Sequence, residues 1–393
     1  MLKKITADVI YTNDGPPAKD IAIIIDNNGS ILDITPLNHH DPITVQHFDG
    51  AIVPGFVNAH CHLELSHLKG KAPTGTGLIP FLKTVVNFRD VPLDEILDAQ
   101  KRADDEMFLE GIAAVGDISN KEDTVITKHK SRIRYYTFVE MFDFMQNHLA
   151  ENTFSQYEKV FQCHESNRKN KKSCVPHSPY TVSDKLYELI ENYNNAHAKE
   201  QLTVSIHNQE TPHEIQLFRD GSGGFVDFFK SFGVTLPNLM PYGKSSLLHS
   251  IQRMNPNNRT IFVHNTLTTS DDIAEAKKWS NNTYWATCPN ANLYIENRLP
   301  NYQFFLDSDA KMCIGTDSLT SNWQLSIMEE IKTILKYQSY LDFETVLKWA
   351  TINGAEALGM DNVLGSISIG KSPSLVNIEH IDNLSKATSK RIV

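Results

Sequence analysis

The sequence is poor in cysteine, in long apolar runs and in concentrated basic charge. Its five cysteines form no CxxC pair, and their odd number argues against a disulfide framework. No apolar run approaches the ~18 residues of a membrane span, and polar residues interrupt the opening MLKKITADVIYTNDG before a secretory segment could form. These absences predict a cytoplasmic protein with no membrane partner.

The charge balance excludes a further class of partner. The formal net charge is −10 and the isoelectric point is about 5.9, whereas phosphate binding needs a concentrated basic face. The densest basic run, RKNKK at residues 168–172, is typical of a solvated loop that leads into a strand. The sequence therefore predicts a small-molecule ligand and no nucleic-acid partner, and it leaves room for a homodimer.

Eight short apolar runs, each ending in a polar or ionisable residue, dominate the 393-residue chain. They are GFVNAHCH, GIAAVGD, RYYTFVE, SCVPH, LTVSIHNQE, TIFVHN, TYWATCPN and KMCIGTD. Segments with apolar residues every three or four positions lie between them, such as VPLDEILDAQKRADDEMFLEG and TVSDKLYELIENYNNAHAKE. This alternation predicts an α/β fold with a (β/α)8 barrel over residues 53–359, whose active site lies at the carboxyl ends of the strands.

The two ends of the chain predict a second, smaller unit. Residues 1–52 give short alternating strands, and DNNGS within AIIIDNNGSILDI has hairpin-turn chemistry. The stretch VLGSISIGKSPSLVNIEH in the tail predicts another strand pair. Because an isolated hairpin is marginal in water, we expect residues 1–52 and 360–393 to form one composite β-sandwich.

The last polar residue of each run is informative because the strand ends of a barrel meet at one mouth. We expect eight residues to converge there: His62, Asp117, Glu140, His177, His207, His264, Asn290 and Asp317. Six other histidines are expected at the surface: His39, His40, His129, His148, His197 and His249.

The stretch PGFVNAHCHLELSHLKG places two histidines two residues apart at the end of a strand. Residues at this spacing face the same side of a strand and lie roughly 6.6 Å apart along the backbone, so His60 and His62 can share one metal while Cys61 points away. An HxH pair alone is weak evidence. His207 and Asp317 add a nitrogen and an oxygen donor, which gives a set suited to zinc or ferrous iron.

Six motifs, taken in order, resemble those of the amidohydrolase superfamily: PGFVNAHCHLELS, PHSPYT, HNQE, FVHN, CPNAN and GTDS. The similarity covers nearly the whole chain and is greatest to the aminohydrolase branch of cytosine, guanine and adenosine-type deaminases and related chlorohydrolases. It implies a distorted TIM barrel with a composite β-sandwich and a divalent metal held by His60, His62, His207 and Asp317. Family members with two metal ions usually need a bridging carboxylate, often a carbamylated lysine at the end of strand four. The CVPHSPY segment has no lysine at its tip, and Lys172 lies at the other end of that run. The resemblance therefore implies one metal ion rather than two.

The resemblance also implies catalytic roles. A bound zinc ion lowers the pKa of its water from 15.7 to roughly 7; Asp317 would accept that water's proton, and His264 would orient the nucleophile or polarise the carbon under attack. Glu210, three residues after His207, would carry protons to a ring nitrogen and to the leaving amine. The alternative role for Glu210 is a charge that stabilises the N-terminus of the helix opened by ETPHEIQLF.

Four residues are candidates for substrate contacts: His177, Glu64, Glu140 and Asn292. His177 resembles a family histidine that binds the substrate ring. Alternatively, it is a loop histidine whose ring nitrogens hydrogen-bond to backbone groups. Glu64 and Glu140 could hold a polar substituent such as a ribose hydroxyl or could form buried ion pairs. The HLELS variant resembles deaminases of adenine-bearing nucleosides, including aminodeoxyfutalosine deaminases.

The sequence therefore predicts a hydrolytic deaminase of an amino-substituted heterocycle that releases ammonia. A chlorohydrolase or cyclic amidohydrolase on the same scaffold is the alternative, followed by a non-catalytic barrel protein. The long segment 215–250, with GSGGFVDFFKSFG, predicts either a lid over a planar substrate or a core-facing amphipathic helix.

Overall fold

Strands and helices alternate along most of the chain in this computed structural model, which describes residues 2–236, 243 and 245–393. The strands are β1 Lys3–Ile10, β2 Ile21–Ile25, β3 Ile31–Pro36, β4 Gln46–Pro54, β5 Phe56–Cys61, β6 Ile112–Ser119, β7 Arg134–Met141, β8 Lys171–Pro176, β9 Thr203–Asn208, β10 Arg259–His264, β11 Thr283–Thr287, β12 Lys311–Ile314, β13 Leu375–Glu379 and β14 Thr388–Arg391. The α-helices are α1 Leu78–Phe88, α2 Leu93–Leu109, α3 Val125–Lys130, α4 Ala150–Cys163, α5 Asp184–His197, α6 Pro212–Asp220, α7 Gly224–Ser231, α8 Ser246–Ile251, α9 Ser270–Trp279, α10 Pro289–Glu296, α11 Tyr302–Asp307, α12 Ile327–Tyr337, α13 Phe343–Ala350 and α14 Ile352–Ala357.

The eight predicted runs all form strands, and these make the two halves of the barrel. Strands β5 to β8 pair in parallel in chain order, and so do β9 to β12. The halves meet at both edges, since the amides of Thr316 and Asp317 each donate to the His60 carbonyl at 3.0 Å, and the His207 amide donates to the His177 carbonyl at 3.0 Å. The predicted fold class is confirmed.

Strands from both ends of the chain form a separate sheet, in the order β14-β13-β4-β1-β2-β3. The predicted hairpin joins β2 to β3, where the Asp26 carboxylate accepts the amides of Asn28 and Ser30 at 2.8 Å and Gly29 adopts a φ of 80°. The predicted tail pair is only half right, because VLGSISIGKSPSLVNIEH contains β13 but not β14. The Ile367 amide instead donates to the Thr12 carbonyl. The division of domains at residues 52 and 360 stays a prediction, and β4 itself runs on to Pro54.

A second apolar cluster covers the mouth of the barrel, separate from the main core. Helix α7 contributes Phe225 and Phe229, both buried, so this part of segment 215–250 is a core-facing helix. Residues 237–242 and 244 of the same segment lie outside the described residues, and a lid function for the segment stays a prediction.

One of the six histidines expected at the surface is buried. His249 lies on α8, is 4% exposed, and its ring packs against Phe218 with 5.0 Å between centroids. A short helix between two others leaves few exposed positions, which the local sequence does not reveal. Within the described part of the chain, no helix is both long and apolar enough to cross a bilayer.

Candidate active site

The four predicted metal ligands converge at the carboxyl ends of the strands. His60 and His62 come from the end of β5, His207 from β9, and Asp317 follows β12. The Asp317 Oδ1 atom lies 3.6 Å from His60 Nε2 and 3.5 Å from His62 Nε2. The Nε2 atoms of His62 and His207 are 3.3 Å apart. All four side chains therefore aim their donor atoms at a common volume.

Backbone geometry makes this convergence possible. A Cβ atom on Gly315 would lie 2.8 Å from the Cβ of His60 and 2.9 Å from the Cys288 sulfur, so only glycine lets β12 approach β5 this closely. Asp317 and His264 adopt φ values of 57° and 72°. Such left-handed conformations are uncommon for side chains other than glycine, and they concentrate at functional sites.

Hydrogen bonds behind the ligands fix their orientation. The Nδ1–H of His207 donates to the His177 carbonyl at 2.9 Å, with the Glu140 carboxylate 3.3 Å from the same nitrogen, so Nε2 is the ring nitrogen that faces the cavity. Ser321 donates its hydroxyl to Asp317 Oδ2 at 2.5 Å, which leaves Oδ1 facing the histidines. Second partners of this kind orient metal ligands and raise their basicity.

The donor set fits a divalent cation. His60 is fully buried, and among the described residues neither of its ring nitrogens has a hydrogen-bond partner. Burial lowers the pKa of His60 and of His62, which favours neutral rings that can act as ligands. Burial would also lower the pKa of His207, but contact with Glu140 raises it to about 9, so the cavity stabilises positive charge. Three imidazoles and one carboxylate suit zinc or ferrous iron.

Glu210 and His264 lie beside the ligand cluster. Burial raises the pKa of Glu210 to about 8, and its Oε1 lies 3.7 Å from His264 Nε2. His264 Nδ1 lies 2.9 Å from Asn292 Oδ1, which assigns the proton to Nδ1. Burial lowers the pKa of His264 to about 3, so the ring is neutral and Nε2 is an acceptor directed at Glu210.

The charge at the N-terminus of α6 belongs to Glu214 rather than to Glu210. The Glu214 carboxylate accepts the amides of Gln209 and Glu210 at 2.9 and 3.1 Å and the Ser246 hydroxyl at 2.5 Å. The Glu210 side chain is thereby left to line the cavity.

A cavity opens above these residues and is largely apolar. His62, His177, His207, His264, Glu140, Glu210 and Asp317 form its floor. Its walls come from α1, from the segment after β7 and from α7, through Leu78, Phe81, Val85, Phe142, Phe144, Phe228 and Phe229. The cavity therefore combines a polar floor with walls suited to a planar or apolar ligand.

Two of the eight strand-end residues do not reach the mouth, so that expectation is wrong for them. Asp117 is paired in register with Cys61, which points away from the barrel axis, so Asp117 faces outward as well. It forms a 2.6 Å ion pair with Lys128. Asn290 also turns away and hydrogen-bonds through its side chain to Glu330 and Thr333. The polar residue that ends a run lies inside only when the alternation of the strand places it there.

All four candidate substrate contacts have partners within the protein. Glu64 forms an ion pair with Arg89 at 2.7 Å and accepts the Asn120 amide at 2.8 Å, so it adopts the ion-pair alternative. Asn292 orients His264, and Glu140 lines the cavity while contacting His207. His177 also lines the cavity, with Nδ1 2.8 Å from the Thr181 hydroxyl.

Sequence reasoning missed two residues that line the cavity, Arg89 and Asn120. Arg89 follows α1, and Asn120 follows β6 and donates its side-chain amide to the Glu140 carbonyl at 2.8 Å. Neither residue belongs to a motif quoted above. The sequence signal that could have found Asn120 is its place three residues after a predicted strand.

The fold is that of a hydrolase of the TIM-barrel type, and its histidine-rich cluster could hold a metal ion. The model of the amidohydrolase family matches residues 51–391, so the chain belongs to that family. It is 27% identical over 378 residues to the aminodeoxyfutalosine deaminase of Nitratiruptor sp., covering 92% of this chain and 87% of the relative.

Two solved structures share the fold. The aminofutalosine deaminase of Helicobacter pylori in complex with methylthio-coformycin has a TM-score of 0.84 at 21% identity, covering all of both chains. An adenosine deaminase of Xanthomonas campestris with bound zinc has a TM-score of 0.78 at 22% identity, covering 98% of this chain and 89% of that one.

Proposed function

We propose that the protein is a metal-dependent deaminase that hydrolyses the exocyclic amino group of an adenine-bearing nucleoside and releases ammonia. The observation that carries the proposal is that His62, His207, Asp317 and Glu210 line the floor of one cavity. The buried His60 completes the cluster, with its Nε2 atom 3.6 Å from Asp317 Oδ1. Relatives named as deaminases of aminodeoxyfutalosine and adenosine support the same class of substrate.

The proposed cofactor is one divalent ion, zinc, held by His60, His62, His207 and Asp317. When bound, such an ion lowers the pKa of a water molecule to roughly 7 and so supplies a nucleophile near neutral pH. The contacts of Lys172 support a single ion, since this lysine lies at the start of β8 and donates to the carbonyls of Phe161 and His164 at 2.6 Å. Zinc is the ion bound in the Xanthomonas campestris adenosine deaminase.

The protein's own groups account for the proton movements. Asp317 Oδ1 and His264 Nε2 are acceptors that face the cavity, so they can accept hydrogen bonds from the attacking water and orient it. Glu210 lies beside His264 and is raised in pKa by burial, so its carboxyl group can hold a proton near neutral pH. It would deliver that proton to a ring nitrogen, regain one proton from the attacking water, and pass the other proton of that water to the departing amine, which leaves as ammonia.

The cavity walls support a planar base and an apolar extension. Phe142, Phe144, Phe228 and Phe229 give aromatic surface, and Asn120 and His177 lie among the lining groups as hydrogen-bonding partners. In a pocket with mostly apolar walls, the few polar groups fix the orientation of the bound ligand. We propose that His177 contacts the substrate, while Glu64, Glu140 and Asn292 act through Arg89, His207 and His264.

The decisive test is an ammonia-release screen on protein of verified metal content. Aminopurines, their nucleosides, cytosine and aminotriazines are offered in parallel, with chlorinated triazines as a comparison. We expect ammonia from an adenine-bearing nucleoside. Chloride release without ammonia would favour the chlorohydrolase alternative, and no product from any substrate would favour a non-catalytic barrel.

Metal content is the first quantitative prediction. Elemental analysis of protein purified without chelator should give one zinc per chain, and His207→Ala should lose metal and activity together because it removes a ligand. A reproducible stoichiometry near two after gel filtration would contradict the mononuclear site.

A homodimer and a cytoplasmic location also remain predictions.

A further inference from the structure

Asp117 and Lys128 form a buried ion pair directly behind the strand that carries His60 and His62. The two side chains are 2.6 Å apart, and the residues are 0% and 3% exposed. Lys128 Nζ also donates to the Ser119 hydroxyl at 2.8 Å and the Thr137 hydroxyl at 3.1 Å. Lys128 Nζ thus contacts one carboxylate and donates hydrogen bonds to two hydroxyl groups.

The other oxygen of Asp117 reaches the backbone next to a proposed metal ligand. Asp117 Oδ1 accepts the Leu63 amide at 2.8 Å. His62 has φ −121° and ψ 78°, and a 3-10 helix, Leu63–Leu68, begins immediately after it. The first amides of a helix have no partner within the helix. The bond to Asp117 therefore fixes the peptide that joins His62 to Leu63.

Stability alone is a poor reason for such a pair. Two buried charges lose their hydration, and replacing a buried ion pair with apolar residues of similar volume is often neutral or stabilising. A carboxylate accepts an amide hydrogen bond more strongly than a neutral oxygen does. The Lys128 ammonium group offsets part of the cost of burying the Asp117 carboxylate and leaves one carboxylate oxygen aimed at Leu63.

We propose that Asp117 is a positioning residue: held by Lys128, it fixes the peptide after His62 and so sets the direction of the His62 ring. This inference rests on the proposed metal site. It differs from a role in folding because it predicts a change in zinc affinity that thermal stability does not explain.

Two double variants separate the hydrogen bond from the charges. Asp117→Asn with Lys128→Met removes both charges but keeps an oxygen that accepts from Leu63. Asp117→Leu with Lys128→Met removes the charges and the acceptor together. Zinc affinity is measured on metal-free protein by competition with a chelator, alongside the melting temperature and kcat/KM.

We expect the Leu-containing pair to bind zinc roughly 10–100-fold more weakly than the wild type, the usual effect of losing an outer partner of a metal ligand. The Asn-containing pair should lose clearly less affinity than the Leu-containing pair, since a neutral and weaker acceptor for the Leu63 amide remains. Asp104→Asn is the matched control. Asp104 is also buried and accepts the hydroxyls of Ser131 and Tyr135, each at 2.6 Å, so its loss should lower stability without changing zinc affinity.

Equal zinc affinity in the two double variants would overturn the positioning role. The positioning role would also be overturned if Asp104→Asn lowered zinc affinity together with the melting temperature, since affinity would then follow stability alone. If the Leu-containing pair does not fold, Asp117→Ser with Lys128→Met replaces it, since the shorter side chain cannot reach Leu63. A wild-type protein that binds no zinc would instead refute the proposed function, and this inference with it.

Discussion

Glu210 and Glu214 lie four residues apart and are both buried, yet their surroundings give them different tasks. The Glu214 carboxylate accepts hydrogen bonds from two backbone amides and from the Ser246 hydroxyl, and these bonds fix the start of α6. Glu210 directs its carboxylate to the cavity beside His264. The proposed proton carrier, Glu210, can therefore be separated by experiment from Glu214, which holds the backbone just before α6.

Glu210→Gln should lower turnover by roughly 10²–10⁴, because the amide keeps the size of the side chain but cannot exchange a proton. Zinc content should stay at the wild-type value. The measurement is kcat on the best substrate of the ammonia screen, with elemental analysis of the same sample. Glu214→Gln is the comparison and should mainly lower the melting temperature. A near-native kcat for the Glu210→Gln variant would remove Glu210 from the mechanism.

Arg89 is the one arginine or lysine among the described residues that line the cavity. Arg89→Met combined with Glu64→Gln removes it without leaving a buried carboxylate unpaired. A hydrogen bond to a charged group contributes about 1.5–3 kcal/mol, so KM should rise roughly 10–100-fold for substrates that reach Arg89. We expect a smaller change in kcat, because a contact remote from the reacting bond binds ground state and transition state alike.

Glu64→Gln alone is the control for that prediction, since it keeps an acceptor for Arg89. Its KM should stay close to the wild-type value. Equal KM values for the double variant and the wild type, across substrates with short and long substituents, would show that Arg89 does not contact the ligand.

The residues that strand periodicity alone identifies are those whose direction is set locally. His60 and His62 are two apart on one strand, so their common direction follows from the period of a strand. The roles of Glu64 and Asn292 depend on partners 25 and 28 residues away along the chain. Asp117 was misplaced because the run GIAAVGD does not reveal which face of β6 points inward. Such long-range choices require the folded chain.

At the scale of elements, periodicity found all eight barrel strands and helices such as α2 and α5. It missed β14, whose TSKR sequence is short and polar and forms a strand by pairing with β13. It also left α7 undecided, because the same aromatic residues suit a lid or a packed helix. Pairing and packing partners decided both elements.

Helix α5 supplies a pH-dependent prediction. Burial raises the pKa of Glu191 from 4.5 to about 7, and within the described residues its Oε2 has no hydrogen-bond partner. A raised carboxyl pKa means that the folded state binds more protons than the unfolded state between these values. The folded protein should therefore lose stability as pH rises from about 4.5 to 7.

Glu191→Gln should remove that loss. At pH 8 the variant should melt at a higher temperature than the wild type, and the difference should shrink as pH falls to 5. Thermal melts at several pH values measure this directly. Glu188→Gln, at an exposed position of the same helix, should show no such trend. If the difference in melting temperature between Glu191→Gln and the wild type were the same at pH 5 and pH 8, the raised pKa of Glu191 would be contradicted.

At the scale of the whole molecule, the terminal sheet and the barrel are joined through the tail. Strand β13 pairs with β4, which leads into β5 and the proposed metal ligands. Arg391 on β14 donates to the carbonyls of Phe108 and Ile112 at 2.9 and 2.7 Å. Gly111 packs so closely against Val376 that a Cβ would lie 2.3 Å from a Val376 methyl. The last strands therefore support the barrel as well as their own sheet.

Deleting the chain after Gly365 should prevent stable folding. The deletion removes buried side chains that include Ile367, Leu375, Val376 and Ile378. Each contributes about 1.5–3 kcal/mol on burial, so their sum is comparable with the 5–15 kcal/mol that stabilises a typical domain. It also exposes the edge of β4, and an unpaired edge promotes aggregation.

We expect insoluble protein, or a broad unfolding transition well below that of the full chain. Ile369→Ser, at an exposed position of the same tail, should melt like the wild type. A soluble truncated protein with unchanged melting behaviour would show that the tail is not part of a shared unit.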